Sequence, residues 1–240
     1  MTSTDTLQFF DLSHPWGHGV PNWPYFEDVK IERVHYHAKS RVLTQRITTV
    51  MHCTTHLDAP GHVIEGAPLI EDLPLSLFFG TGVVVSIPKG KWEKIMPEDL
   101  EAARPEILPG DIVIVNTGWH HTFGDNSTYY AYSPGFYREA GEWFVERGVK
   151  AVGTDTQALD HPLATAIAPH GPGAPDGLLP WACRANRRRH LGQRRCLEKL
   201  GRFAVRCQIW PPSAGIPQAL ARCLGRGTRG RHRRASAAHS

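Results

Sequence analysis

Four side chains of the kinds that commonly bind metal ions lie close together in residues 52–62. They are His52, His56, Asp58 and His62. Two imidazoles and one carboxylate form the 2-His-1-carboxylate set, which leaves coordination positions open for water and substrate. The pattern therefore predicts a catalytic metal site, and zinc, manganese and iron(II) all fit these ligands. The alternative is that some of these histidines are ordinary surface or core residues.

The even spacing of these four residues favours an extended chain over a helix. A helix would turn the Asp58 side chain roughly 240° away from that of His52, whereas an extended chain points both to one side. A straight strand would, however, hold these two residues roughly 20 Å apart, and ligand atoms must lie about 2.0–2.2 Å from one ion. We therefore predict a strand that bends or breaks into a loop around residues 53–58.

Strand-like and helix-like segments alternate along the chain beyond this motif. Continuous apolar runs and β-branched stretches predict six strands, at residues 9–12, 29–37, 41–50, 81–87, 110–116 and 150–155. Prolines at first-turn positions and an apolar face predict two helices, at residues 97–103 and 134–147. This order predicts one α/β domain with a mixed sheet.

Length and composition limit the class of protein. A chain of 240 residues is long enough for one domain with a substantial core. Its first residues show no basic targeting segment, and no run approaches eighteen apolar residues, so we expect a soluble, cytoplasmic protein without a membrane span. The five cysteines include no CxxC pair, so their spacing predicts neither a zinc knuckle nor a disulfide framework.

The last quarter of the chain has a different character. Residues 184–240 hold 15 of the 27 Lys and Arg residues but one of the 23 Asp and Glu residues. No sustained apolar periodicity accompanies these charges, so we divide the chain into a folded domain, 1–183, and an arginine-rich tail, 184–240, that is frameshifted or disordered. A basic arm that binds nucleic acid or acidic lipid is one interpretation of the tail. We favour the other, a change of reading frame near Arg184.

Residues 52–62 resemble the HxGTHxDxPxH signature of the cyclase family, which includes isatin hydrolases and bacterial kynurenine formamidases. Thr54 departs from the signature, which has glycine at that position. Segments 11–15, 117–119 and 153–156 agree with the same family, and the resemblance covers residues 9–183. The tail lacks the histidine and glutamate that complete a second metal site in formamidase-like members.

The resemblance implies a metal-dependent hydrolase that cleaves an amide or cyclic amide C–N bond in a small-molecule substrate. His52, His56 and Asp58 would bind Mn²⁺ or Zn²⁺, and His62 would be the general acid/base. It also implies a single α/β domain with a mixed, partly barrel-like sheet and flanking helices, and a homo-oligomer.

Four further residues are candidates for substrate binding. Asp155 and His161 follow a predicted strand, at the carboxyl end where α/β proteins tend to place their chemistry. His170 lies in a Pro/Gly-rich segment, and Trp23 lies in an aromatic loop suited to an aryl substrate. Turn or packing roles are the alternative for each.

Two other functions compete with hydrolysis: a basic nucleic-acid-binding protein with incidental histidines, and a metal-binding protein without catalysis.

Overall fold

A computed structural model describes residues 10–23, 26–62 and 64–162. The strands of these residues are β1 (Lys30–His35), β2 (Thr44–Thr48), β3 (Gly82–Ser86), β4 (Lys94–Ile95), β5 (Ile112–Asn116), β6 (Gly135–Phe136) and β7 (Ala151–Thr154). The α-helices are α1 (His37–Ser40), α2 (Pro97–Ala102), α3 (Ser127–Ala131) and α4 (Arg138–Arg147). Short 3-10 turns lie at Pro60–His62, Ile70–Asp72, Leu75–Leu77 and Trp119–Thr122.

The centre of the fold is a parallel three-stranded sheet in the order β3-β5-β7. Val113 of β5 lies opposite Val83 on one side and Val152 on the other. All three strands come from apolar segments predicted as strands, and β3 and β7 are almost wholly buried. The parallel arrangement places the carboxyl ends of the three strands at one edge of the sheet.

The main hydrophobic core joins this sheet to helices α2 and α4. Val85, Val113 and Val115 from the sheet are fully buried, as is Phe144 of α4. The Phe144 ring meets that of Phe136 edge-on at a centroid distance of 5.6 Å. Burial of each such side chain stabilises the fold by about 1.5–3 kcal/mol. The sheet and the two helices therefore form a closely packed support for the loops at the carboxyl edge of the sheet.

The α/β class is confirmed, but the expected mixed, partly barrel-like sheet is not found in the described part of the chain. The three-stranded sheet is open and wholly parallel, and antiparallel pairing is confined to the hairpin of β1 and β2. Nearly every residue of that hairpin is exposed or half-exposed, so it lacks the buried face that would join it to the central sheet.

Helix α4 begins four residues later than the predicted helix at 134–147. Gly135 and Phe136 instead form strand β6, which pairs in parallel with β4. The backbone N–H of Phe136 donates to the Leu159 carbonyl at 2.9 Å, and the Phe136 side chain is buried in the core. These contacts with distant segments outweigh the helical preference of the local sequence. The predicted end is correct, since Gly148 caps α4 in the left-handed conformation.

Several predictions concern residues outside the described ranges. Residues 163–240 are among them, so the division between a folded domain and an arginine-rich tail at residue 184 stays a prediction. Within the described ranges, none of the helices has both the length and the apolar character that a transmembrane segment needs.

A buried carboxylate, Asp155, joins two strand ends at the carboxyl edge of the sheet. Its Oδ1 accepts hydrogen bonds from the backbone N–H and the hydroxyl of Thr117, at 2.9 and 2.7 Å. Its Oδ2 accepts from the backbone N–H of His120 at 3.3 Å and from Nδ1 of the same residue at 2.8 Å. Asp155 is 1% exposed, so these four bonds replace the water that a carboxylate otherwise requires. The loop after β7 is thereby fastened to the loop after β5.

His14 lies against this network and is also buried. Its ring stacks on that of Phe123 at a centroid distance of 3.6 Å, and its backbone N–H donates to the Thr55 hydroxyl at 3.0 Å. Burial lowers the pKa of His14 to about 4, with a further contribution from His120 and an opposing one from Asp155. The imidazole is therefore neutral in the folded protein near neutral pH.

Replacement of Asp155 by asparagine tests the importance of this carboxylate. An asparagine amide offers one acceptor oxygen where four donors converge, so Asp155→Asn is expected to lower the unfolding free energy by about 3 kcal/mol. Urea denaturation of the full chain at pH 7 measures the change. Asp28→Asn is the matched control, because Asp28 is exposed and its replacement is expected to cost less than about 0.5 kcal/mol. Equal losses in the two variants would contradict the assigned role.

The lowered pKa of His14 predicts a pH dependence of stability. Between pH 6.5, its ordinary pKa, and about pH 4, the unfolded chain binds a proton that the folded protein does not. Stability therefore falls as the pH decreases through this window. We expect His14→Phe, which can keep the ring stacking without titrating, to lose less stability than the original protein between pH 7 and pH 5 in urea titrations with a chelator present. Parallel losses in both proteins would assign the pH dependence to other groups.

Candidate metal centre

The backbone of the metal-ligand motif folds back on itself. Strand β2 ends at Thr48, four residues before the first candidate ligand, so the predicted break of the strand occurs ahead of the motif. Thr54 then adopts a left-handed conformation with φ of 48°. This conformation costs a residue with a Cβ about 1–2 kcal/mol and is most unusual for a β-branched one. The reversal brings His52, His56 and Asp58 to one place.

Three candidate ligand atoms form a small triangle. Nδ1 of His52 lies 3.1 Å from Oδ1 of Asp58 and 3.0 Å from Nε2 of His56. The third side, from His56 Nε2 to Asp58 Oδ1, is 3.4 Å. Ligand atoms about 2.1 Å from one ion, at tetrahedral or octahedral angles, stand about 3.0–3.4 Å apart. The triangle therefore fits one face of the coordination sphere of a single divalent cation.

The hydrogen bonds around His56 favour metal binding. Its Nδ1 lies 2.6 Å from the Thr54 carbonyl oxygen, an atom that can only accept, so Nδ1 carries the proton. The lone pair of Nε2 is then directed into the triangle. A hydrogen bond of this kind fixes the tautomer and ring orientation of metal-binding histidines in general.

The burial of the triangle also suits a cation. The Asp58 side chain is 4% exposed, and those of His52 and His56 are 14% and 13% exposed. A carboxylate so far removed from water needs a positive partner or strong hydrogen bonds. The Asp58 carboxylate and the two imidazole nitrogens that face one of its oxygens together form a set of ligands that suits a divalent ion. Residues 52, 56 and 58 therefore fit the ion that the sequence predicts.

His62 is close to the triangle but outside it. The 3-10 turn Pro60–His62 positions its ring parallel to that of His52, with centroids 4.6 Å apart and planes within 17°. Unlike the three candidate ligands, His62 is exposed to solvent. An imidazole in this place can exchange protons with water while it remains near the reacting groups.

A small pocket opens beside two of the candidate ligands. It is partly open to solvent, has room for about one water molecule at about 10 Å³, and is lined by Pro21, Asn22, Trp23, His52, Thr54, His56 and Gln157. Trp23 therefore lies beside the candidate site, and its role in substrate binding stays a prediction.

The other predicted substrate-binding residues lie elsewhere. The Asp155 carboxylate is occupied by Thr117 and His120 and does not line the pocket. His161 is buried, with Nε2 2.9 Å from the Trp92 carbonyl oxygen and its ring against Tyr137. His170 lies outside the described residues. These positions favour structural roles for Asp155 and His161.

The local sequence does not indicate the contributions of Thr54 and His120, whereas Gln157 belongs with Asp155 and His161 to the segment after the predicted strand where chemistry is expected. In the sequence, Thr54 stands where the signature has glycine. Its place in the pocket wall is visible only in the fold. Gln157 follows strand β7 by three residues, which is a weak signal by itself. His120 and Asp155 are 35 residues apart, and no local pattern connects them.

Comparison with solved structures places the fold among known hydrolases. Isatin hydrolase A from Labrenzia aggregata, bound to benzyl benzoate, aligns with a TM-score of 0.62 at 21% identity, over 85% of this chain and 80% of that one. Isatin hydrolase A from Ralstonia solanacearum gives 0.64 at 20% identity, over 84% and 78%. A predicted metal-dependent hydrolase from Bacillus stearothermophilus aligns with a TM-score of 0.58 at 18% identity, over 83% of this chain and 81% of that one. At these identities the similarity establishes the fold.

The sequence itself establishes the family. The family model described as a cyclase matches residues 10–161, which is more than half of the chain and includes the whole of the metal-ligand motif. Because this match covers more than half of the chain, the chain belongs to the Cyclase family.

Proposed function

We propose that this protein is a metal-dependent hydrolase that cleaves the C–N bond of an amide or cyclic amide, of the isatin or N-formylkynurenine type. The observation that carries the proposal is the triangle of His52, His56 and Asp58, whose atoms stand 3.0–3.4 Å apart. The isatin hydrolases among the structurally similar proteins support the substrate type.

The three candidate ligands would hold Mn²⁺ or Zn²⁺. A divalent ion in such a site supplies Lewis acidity, which polarises a substrate carbonyl and makes water acidic enough to attack near neutral pH. Among the residues that the structure describes, three candidate ligands converge, which would leave coordination positions for substrate and water. The burial of Asp58 strengthens its attraction for a cation, since few water molecules compete with it.

His62 would move the protons of the reaction. Hydrolysis forms a bond between the water oxygen and the carbonyl carbon, and it breaks the bond from that carbon to nitrogen. The His62 imidazole would accept a proton from the attacking water and deliver it to the departing nitrogen. Its contact with the His52 ring keeps it near the site, and its exposure allows it to equilibrate with solvent. Trp23 would pack against an aryl ring of the substrate in the adjoining pocket.

The proposed ligands predict the metal affinity of variants. His56→Ala removes one of three ligand atoms, so we expect it to weaken Mn²⁺ or Zn²⁺ binding by more than about 100-fold, beyond the effect usual for residues that only orient ligands. Calorimetry on the chelator-treated full chain gives affinity and stoichiometry. His37→Ala is the matched control, because His37 is an exposed histidine of α1 outside the triangle. If both variants keep the metal affinity of the unmodified chain, the metal binds elsewhere.

Proton transfer by His62 predicts a loss of turnover without a loss of metal. We expect His62→Gln to lower kcat for isatin or N-formylkynurenine by about 10²–10⁴-fold, while the bound metal stays at one ion per chain. Absorbance assays on the Mn²⁺- or Zn²⁺-loaded protein measure kcat, and elemental analysis measures the metal. Full metal occupancy with no turnover of any amide by the unmodified chain would instead support the metal-binding protein without catalysis.

A further inference from the structure

Exposed apolar side chains are concentrated in two parts of the structure. Thirteen large apolar residues are exposed within residues 10–23, 26–62 and 64–162, and nine of them lie in residues 30–48 or 65–79. The first group is Val34, Tyr36, Val42, Leu43 and Ile47, and the second is Leu69, Ile70, Leu75 and Phe79. Exposed apolar side chains that cluster in this way commonly mark a surface that binds another molecule.

The first part, residues 30–48, consists of β1, α1 and β2, and we call it the hairpin arm. Among the described strands, its two strands pair only with each other. The hairpin arm carries five Lys and Arg residues and one acidic residue, Glu32. The remainder of residues 10–162 has the opposite balance, with 7 Lys and Arg residues and 19 Asp and Glu residues. The hairpin arm is therefore a basic and apolar surface on an otherwise acidic domain.

The second part, residues 65–79, has the complementary character, and we call it the acidic segment. It contains the 3-10 turns Ile70–Asp72 and Leu75–Leu77. Its charged residues are Glu65, Glu71 and Asp72, with no Lys or Arg. The side chain of Leu75 is 79% exposed and that of Phe79 is 69% exposed. An exposed apolar surface of negative charge is what the hairpin arm requires in a partner.

We propose that the hairpin arm of one copy of this chain docks on the acidic segment of a second copy. The exposed apolar side chains of both surfaces leave water together, and their opposite charges set the orientation of the contact. Each copy carries one surface of each kind. A two-fold axis therefore relates two equal contacts, and the assembly closes as a dimer.

The charge of the hairpin arm favours a second copy over the C-terminal residues of its own chain. Residues 184–240 hold 15 Lys and Arg residues and one acidic residue, so they repel the basic arm. A second copy instead supplies the acidic segment at the same concentration as the arm. The known partner chemistry of the arm, apolar and acidic, is thus present in the chain itself.

The two surfaces flank the metal-ligand motif in the chain. The backbone N–H of Gly61 donates to the Pro68 carbonyl at 2.9 Å, which joins the turn that carries His62 to the acidic segment. On the other side of the motif, β2 ends four residues before His52. The docked arm of the partner copy therefore lies beside a segment that is bonded to the motif. The association itself does not depend on hydrolysis.

Charge reversal tests the pairing of the two surfaces. We expect Lys39→Glu with Arg41→Glu to raise the dimer Kd of the full chain by about tenfold or more, and Glu65→Lys with Glu71→Lys to do the same. All four changes in one chain bring opposite charges together again, so they are expected to return the Kd to within about threefold of its original value. Sedimentation velocity over a range of protein concentrations measures the Kd.

The matched control is Glu98→Lys with Glu146→Lys, which reverses two exposed acidic residues of α2 and α4 and should keep the original Kd. Phe79→Ser removes an exposed ring from the acidic segment, so we expect it to raise the Kd by about tenfold or more while circular dichroism shows a folded chain. A dimer that the charge reversals and Phe79→Ser leave unchanged would overturn the proposal. A full chain that stays monomeric at every protein concentration would also overturn it, whether residues 163–240 or another molecule cover the two surfaces.

Discussion

One cation would require ligand atoms about 2.1 Å from a single point, and the backbone of residues 48–62 meets this requirement. His52, His56 and Asp58 belong to one short segment, so an extended chain would hold them too far apart. The chain instead leaves strand β2 at Thr48 and reverses through the left-handed conformation of Thr54. That reversal produces a buried carboxylate with two imidazole nitrogens at 3.1 and 3.4 Å.

The central sheet gives this segment a fixed surface to meet. Strands β5 and β7 end at the same edge, and the Asp155 carboxylate ties their following loops together through Thr117 and His120. The same loop places Gln157, two residues beyond Asp155, in the pocket beside the candidate ligands. His14 connects the network to the motif through its hydrogen bond to Thr55. The stability of the buried network and the shape of the pocket are therefore linked.

Much of the architecture follows from local sequence. Continuous apolar runs mark β3, β5 and β7, because strands covered on both faces need apolar side chains on both sides. Gly148 marks the end of α4, because glycine adopts the left-handed conformation readily. The start of α4 is different: Phe136 pairs with backbone from β4 and from Leu159, and partners so distant in sequence leave no local pattern. The same limitation hides the bonds between Asp155 and His120.

The sequence by itself determined the family, the three candidate ligands and His62, because the types and spacing of these side chains are a local property of one segment. The tertiary structure decided which other residues share the site. It brought Trp23 and Gln157 to the pocket and assigned Asp155 and His161 to partners in the interior. The physical reason is that a side chain's role depends on what it contacts, and those contacts join segments that only the packed sheet brings together.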